Sequence, residues 1–114
     1  MERVSWTKEV PVAMTITDTK GVVLEMNDKA IKGYAANGGK ELIGKNMLDC
    51  HPEPARSKLV VIMAEQKVNA YTIEKNGVKK LIYQMPWYDE GKYAGYTEIS
   101  MEIPFDMPHF IRKG

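Results

Sequence analysis

The C-terminal third of the chain constrains the fold most, because three stretches of alternating side chains are separated there by two turn signals. The first signal is Asn76-Gly77, the dipeptide preferred in two-residue hairpin turns. The second is the run Asp89-Glu90-Gly91-Lys92, whose glycine tolerates positive φ. The pattern therefore predicts an antiparallel meander of three strands, at Val68 to Lys75, Val78 to Tyr88 and Tyr93 to Ile103.

The last of these strands alternates regularly enough for its faces to be assigned. Ile99, Met101 and Ile103 share one side, whereas Glu98 and Glu102 share the other. An antiparallel sheet commonly packs one face on the core and leaves the other in water. We therefore expect the apolar side to face the core and the polar side to face solvent.

The first half of the chain has the pattern of a hairpin followed by helices. Asn27 or Asp28 is suited to cap a helix, because its side chain can accept hydrogen bonds from the free N–H groups of the first turn. The predicted elements are strands at Ala13 to Asp18 and Val22 to Met26, a helix with Ala30, Ile31, Tyr34 and Ala35 on one side that ends at Asn37-Gly38-Gly39, and a longer helix from Pro54 or Ala55 to about Gln66.

This order of elements predicts an α+β domain, with a five-stranded antiparallel sheet and short helices covering one of its faces. The length of 114 residues suits a single domain. We expect its core to span about residues 10–103 and residues 104–114 to form a C-terminal tail.

Three strings in this order resemble the PAS family. ITDTKGVVLEMNDKA, from Ile16 to Ala30, is similar to the opening hairpin of that family, which ends in a helix-capping asparagine. ELIGKNMLD and YDEGKYAGYTEISMEI are similar to its central stretch and its closing hairpin. The segment KNMLDCHPEPARSKL also resembles PAS-like domains that accompany hemerythrin-type modules.

The resemblance implies a PAS-like five-stranded sheet whose inner face and helices enclose a small, mostly apolar pocket. The eight methionines suit either such a pocket or an adaptable core. Plain core packing is the alternative for every candidate. The candidate pocket residues, assigned by strand or helix face, are Met14, Ile16, Leu24, Met26, Ile31, Tyr34, Met47, Leu48, Leu59, Met63, Tyr71, Tyr83, Thr97, Ile99 and Met101.

The neighbours Cys50 and His51 form a possible ligand-contacting loop. We predict no metal site there, because adjacent residues on an extended loop point to opposite sides and a structural zinc site needs four ligands. We predict no cofactor, and heme ligation through His51 is the alternative. Flavin photochemistry is not expected, because Met47 follows Asn46 where the light-sensing branch of the family has its cysteine.

Several functional classes are not expected. The 16 basic and 15 acidic residues leave no basic footprint for nucleic acid, and no apolar run approaches the roughly 18 residues of a membrane helix. The single cysteine, Cys50, favours a reducing cytoplasm. Asp49, His51 and Ser57 crowd one loop without a convincing catalytic arrangement, so we do not expect an enzyme.

The sequence therefore favours a sensory, signal-transducing module that binds an unknown small molecule and relays its presence through dimerisation or a partner. A ligand-free dimerisation or interaction module is the alternative, and a heme- or cofactor-binding sensor is the second. We expect a homodimer, with Trp6, Ile82 and Tyr96 as contacts. Output would come from a separate protein or from further parts of a longer one.

Overall fold

The computed structural model describes residues 5–114, and within that range it has five strands, three α-helices and three 3-10 turns. The strands form one antiparallel sheet in the order β2-β1-β5-β4-β3. The strands are β1 (Ala13–Thr17), β2 (Val23–Met26), β3 (Asn69–Lys75), β4 (Val78–Asp89) and β5 (Lys92–Ile103); the α-helices are α1 (Trp6–Glu9), α2 (Asp28–Gly33) and α3 (Ala55–Glu65); the 3-10 turns are Ala35–Asn37, Gly39–Leu42 and Met47–Cys50.

The α+β prediction is confirmed, and the hairpin turns show why the strand limits could be predicted well. Asn76 and Gly77 have φ values of 53° and 76°, and Glu90 and Gly91 have 50° and 82°. Two successive positive φ values match the twist of the flanking strands. These turns set the register of the three-strand meander, in which Tyr83 pairs with Ile99.

Asn27 ties the opening hairpin to α2. Its Oδ1 accepts hydrogen bonds from the backbone N–H of Ala30 at 3.1 Å and of Met14 at 2.9 Å. Its Nδ2 donates to the carbonyl oxygens of Thr7 at 2.9 Å and Val12 at 2.7 Å. The buried amide thus uses its full capacity and holds three segments together, which confirms Asn27 as the helix cap.

The two faces of the sheet are assigned by the contacts of the helices. Tyr34, just after α2, bonds to Glu98, and Leu59 and Met63 of α3 pack on Tyr96. From Val78 to Pro86 of β4 and from Tyr96 to Ile103 of β5, the inner face therefore carries the even-numbered side chains and the outer face the odd-numbered ones. The register shifts after Trp87, and beyond it the odd-numbered Tyr93 packs against the cluster under α3. Across the three central strands, the inner face presents Thr15, Thr17, Ile82, Gln84, Tyr96 and Glu98, and the outer face presents Met14, Ile16, Leu81, Tyr83, Met85, Ile99 and Met101.

The expected orientation of the sheet is therefore wrong. The polar side of β5, with Glu98, faces the helices, whereas the apolar side, with Ile99 and Met101, faces away from them. Alternation divides a strand into two sides but does not say which side the helices cover. The polar side can be covered because its side chains bond to one another.

Gly95 lies where β5 passes closest to the end of β1. Its φ is 150°, and a Cβ added there would lie 1.9 Å from the carbonyl oxygen of Thr17. The Thr17 hydroxyl bonds across this contact to the backbone of Tyr96 at 3.3 Å. Only glycine lets the two backbones approach this closely.

Residues 104–114 have no regular secondary structure and are exposed. None of the helices within residues 5–114 is long and apolar enough to cross a membrane.

Candidate functional site

A cavity of about 160 Å³ lies between the inner sheet face and the segments that lead from α2 to α3. Its walls combine apolar side chains from the sheet and helices with polar groups from β1, β4 and β5. The lining residues are Thr15, Thr17, Val23, Met26, Tyr34, Asn37, Leu42, Lys45, Asn46, Met47, Cys50, His51, Leu59, Gln84, Tyr96, Thr97 and Glu98.

The polar wall is a row of hydrogen-bonded side chains, which we call the polar ladder: Tyr34, Glu98, Gln84 and Asn69. The strand register places Asn69 opposite Gln84, and Gln84 opposite Glu98. The Tyr34 hydroxyl donates to Glu98 Oε2 at 2.9 Å, and Gln84 Nε2 donates to Glu98 Oε1 at 3.0 Å. Asn69 Nδ2 donates to Gln84 Oε1 at 2.9 Å.

The carboxylate fixes the direction of every bond in the polar ladder. An ionised Glu98 only accepts hydrogen bonds, so Gln84 must turn its NH₂ group toward it. The carbonyl of Gln84 then faces Asn69, which must donate. Gln84 can be buried because both ends of its amide are bonded.

Tyr34 lies against the negative charge of Glu98. Burial is the main cause that raises the pKa of the Tyr34 phenol, and the charge of Glu98 and the hydrogen bond to it raise it further. Tyr71, on the inner face of β3, also has a raised pKa, from burial and then from Glu98. Tyr34 therefore keeps its proton, and its hydroxyl donates a hydrogen bond to the carboxylate.

His51 borders the cavity from the loop before α3. Its Nδ1 lies 2.8 Å from the carbonyl oxygen of Met47, and because a carbonyl only accepts, Nδ1 carries the proton. In the neutral ring Nε2 then has a free lone pair. The histidine can thus accept a hydrogen bond from a group in the cavity.

Tyr96 closes the apolar end of the cavity and holds α3 on the sheet. Its hydroxyl lies 2.6 Å from the carbonyl oxygens of both Ile62 and Lys67, and its one proton can be donated to either. The ring packs against Leu59 and Met63. Burial is the main cause that raises the pKa of Tyr96 to about 12.

The structure brings some of the candidate residues together and separates others. Those that border the cavity are Met26, Tyr34, Met47, Leu59 and Thr97, together with Cys50 and His51 of the loop. Tyr71 borders a neighbouring open groove on the inner face. Met101 is also among the residues around this groove, although its pairing with Leu81 places its side chain on the outer face. Whether any of them contacts a ligand stays a prediction.

The other candidates lie elsewhere. Met14, Ile16, Tyr83 and Ile99 are on the outer face of the sheet, because the face assignment was inverted. Leu24 is 43% exposed on the edge strand β2. The remaining three do not border the cavity: Ile31 lies on α2, and Leu48 and Met63 belong to the cluster with Leu59.

Sequence reasoning missed the inner-face residues Thr15, Thr17, Gln84 and Glu98. Glu98 was placed on the solvent side because it is polar, and the other three were not named as candidates. One signal was present in the sequence: polar residues occur at matching positions on two strands joined by a tight hairpin, where they can bond across the sheet. That signal becomes usable only once the register is known.

The described contacts do not join the crowded loop residues into a catalytic triad. Asp49 pairs with Arg56 at 3.5 Å, and the Ser57 hydroxyl bonds to the carboxylate of Glu53. His51 is engaged with Met47 instead. In residues 5–114 no group of three or more His, Cys, Asp and Glu side chains is placed to hold a metal ion.

At about 160 Å³ the cavity is smaller than a tetrapyrrole macrocycle. Because Tyr34, His51 and Glu98 border both this cavity and the neighbouring open groove, heme ligation through His51 stays a prediction. Typical pockets for ligands of drug size start at roughly 300 Å³. The lining therefore suits a ligand of only a few non-hydrogen atoms.

No protein-family model matches the sequence, and no curated protein matches it. Solved structures do match. One is the Aer2 receptor of Vibrio cholerae, described as a dual PAS-heme oxygen sensor, at a TM-score of 0.62 and 14% identity, covering 82% of this chain and 95% of that one.

Two further matches are PAS domains. The PAS domain of BvgS from Bordetella pertussis has a TM-score of 0.62 and 13% identity, covering 86% of this chain and 81% of that one. A PAS domain from Colwellia psychrerythraea has a TM-score of 0.59 and 18% identity, covering 85% and 90%. The resemblance to hemerythrin-associated domains stays a prediction. With this topology and these neighbours, the chain has the fold of PAS domains.

Proposed function

We propose that this chain is a sensory, signal-transducing module that binds a small molecule in the cavity beneath the helices. One observation carries the proposal: a cavity with the polar ladder along one wall and apolar side chains on the others. Binding sites for small molecules commonly combine an apolar lining with a few placed polar groups. The neighbours in the fold, a receptor and PAS domains, support a signalling role.

The relay follows from how the cavity is built. Tyr34 and Leu59 come from the segments on either side of the cavity, and Tyr96 and Glu98 come from the sheet beneath it. A ligand that contacts both layers favours one spacing of helices and sheet over another. The output acts through a separate protein or further parts of a longer one.

A matched pair of substitutions tests the cavity. Thr15→Leu adds bulk at a residue that is 9% exposed and borders the cavity, whereas Thr72→Leu adds the same bulk at an exposed position of β3. Native mass spectrometry of freshly purified protein should show bound mass in the wild type and in Thr72→Leu but not in Thr15→Leu. Equal bound mass in both variants would place the ligand elsewhere.

A second role, dimerisation, is favoured by the outer face of the sheet. Met14, Ile99 and Tyr83 form one row across three strands, and Leu81 and Met101 form another pair beside it. Contiguous apolar surface of this kind is typical of association sites. We therefore propose that two copies associate through the outer face.

This surface differs from the one expected from the sequence. Ile82 and Tyr96, named there as dimer contacts, are 7% and 2% exposed and lie on the inner face, so they are packed within one copy. Trp6 is 69% exposed on α1 and remains available.

Sedimentation velocity tests the dimer. The wild type should sediment as a dimer and Ile99→Lys, on the outer face, as a monomer. Ile73→Lys is the control, because Ile73 is 40% exposed on the wall of the inner groove. A monomeric wild type, or a dimer that Ile99→Lys leaves intact, would remove the outer face from consideration.

A further inference from the structure

Glu98 is a carboxylate at the cavity wall that forms no ion pair with any residue from 5 to 114. The ion pairs among the described residues join Lys8 to Asp28, Arg56 to Asp49 and Lys67 to Glu65, and none includes Glu98.

The hydrogen bonds of Glu98 leave its charge uncompensated. Both bonds come from neutral donors, the Tyr34 hydroxyl and the Gln84 amide. Lys45 borders the cavity but is exposed. Four further lysines, Lys29, Lys32, Lys75 and Lys80, border the open groove that Glu98 also borders, and none of the five forms an ion pair with Glu98. A partly buried carboxylate is costly to hold unless an opposite charge accompanies it.

The remaining bonding capacity of this wall is mostly that of an acceptor. Glu98 has used one hydrogen bond on each oxygen, and a carboxylate can accept about four in total. Tyr34 has donated its only proton, so its oxygen can now only accept. Gln84 keeps one N–H, and His51 Nε2 has a free lone pair while Nδ1 is held by Met47.

The other walls limit the size of the occupant and make the rest of it apolar. The apolar part of the lining consists of Val23, Met26, Leu42 and Leu59. The cavity volume of about 160 Å³ lies below the roughly 300 Å³ of pockets for drug-sized ligands, so a short-chain occupant suits it. The occupant thus combines a donor head with a short hydrocarbon chain.

We propose that the cavity selects small organic primary ammonium ions, with the ammonium group on Glu98 and Tyr34 and the alkyl chain among the apolar side chains. This inference rests on the proposed function, since it names the ligand class of the same cavity. A charge-assisted hydrogen bond to the ammonium supplies the charge that Glu98 lacks. An alcohol of equal size supplies a single donor and no charge, and a carboxylate repels Glu98.

Three probes of nearly equal size test the selection: n-butylammonium, butan-1-ol and propionate. Isothermal titration calorimetry on the dialysed full chain should show saturable binding of n-butylammonium, with the other two at least about tenfold weaker. Glu98→Gln keeps the shape of the side chain and removes its charge. It should weaken n-butylammonium binding at least about tenfold.

Glu102→Gln is the matched control, because Glu102 lies on the same strand and the same side but borders the open groove rather than the cavity. It should bind n-butylammonium like the wild type. Thermal melts of both variants without ligand check that each is folded. If Glu98→Gln melts early, Tyr34→Phe, which keeps the carboxylate, should still bind n-butylammonium over butan-1-ol.

The outcomes separate this inference from the proposed function. Binding of butan-1-ol or propionate that Thr15→Leu abolishes, without preference for n-butylammonium, would overturn the ammonium inference and leave the ligand-binding cavity in place. Binding of n-butylammonium that is unchanged in Glu98→Gln would overturn the inference too. If no probe binds and the purified protein carries no bound mass, both fall.

Discussion

The two faces of the sheet differ in polarity and in what lies against them. The inner face lies under the helices yet carries Gln84 and Glu98, whose polar groups bond to each other. The outer face carries Tyr83 and Ile99, on the side of the sheet opposite to Tyr34 and α3. A face that helices cover therefore need not be the more apolar one. It needs only polar side chains whose hydrogen bonds are satisfied, together with an apolar contact such as that of Tyr96 with α3.

The largest expected effect comes from removing one aromatic ring from each face. Tyr96→Ala should lower the free energy of unfolding by about 4 kcal/mol, because the ring packs on Leu59 and Met63. Tyr83→Ala, at a position 36% exposed, should cost less than about half of that. Urea unfolding at low protein concentration measures both. Equal losses would show that the outer face is as well packed as the inner one.

A smaller effect is expected from two neighbours on β4 that point to opposite faces. Gln84→Leu should cost about 2 kcal/mol, because Glu98 and Asn69 each lose a hydrogen-bond partner beside a buried side chain. Met85→Leu, one residue along on the outer face, should cost less than about 1 kcal/mol. A neutral Gln84→Leu in the same urea series would mean that the polar ladder adds nothing to stability.

The inner face should also respond to high pH. The pKa of Tyr96 is raised by burial to about 12, above the value of about 10 of an unfolded tyrosine. Its contribution to stability is therefore full below pH 10 and is lost as the pH rises from 10 to about 12, because the unfolded chain gives up the proton first. Urea unfolding at stepped pH values should show a shallower loss for Tyr96→Phe than for the wild type. Identical slopes would contradict the buried phenol.

The smallest effect is expected in the turn between β4 and β5, away from both faces. Glu90 has a φ of 50°, which a residue with a side chain adopts at a cost. Glu90→Gly should raise the free energy of unfolding by about 0.5 to 1 kcal/mol. Gly91→Ala, at a φ of 82° with open space around it, should lower it by a similar amount. A lower melting temperature in Glu90→Gly, or a higher one in Gly91→Ala, would indicate a different turn.

The strands and their turns could be predicted from local sequence. Asn76, Gly77 and Gly91 adopt the positive φ values that their residue types favour, so the limits of the meander were predicted to within a residue or two. Asn27 caps α2 as its position suggested. These features depend on residues a few positions apart in the chain.

The cavity wall could not be predicted in the same way. The contact between Tyr34 and Glu98 joins residues 64 positions apart, and the bond between Thr17 and Tyr96 joins residues 79 apart. Which side of β5 meets the helices is decided by such contacts and not by alternation within the strand. The rule that apolar sides face inward failed because the polar side chains of this face satisfy one another's hydrogen bonds in place of water.

Glu98 decides which way the hydrogen bonds of the polar ladder run, from donor to acceptor. An amide can present either its oxygen or its NH₂ group to a neighbour, so Gln84 and Asn69 together have two self-consistent orientations when both ends of the row can donate and accept. A carboxylate at one end removes that degeneracy and selects a single isomer. Neutralising it would restore two nearly equivalent states, and the side-chain amide signals of both residues in an NMR spectrum would then divide or broaden.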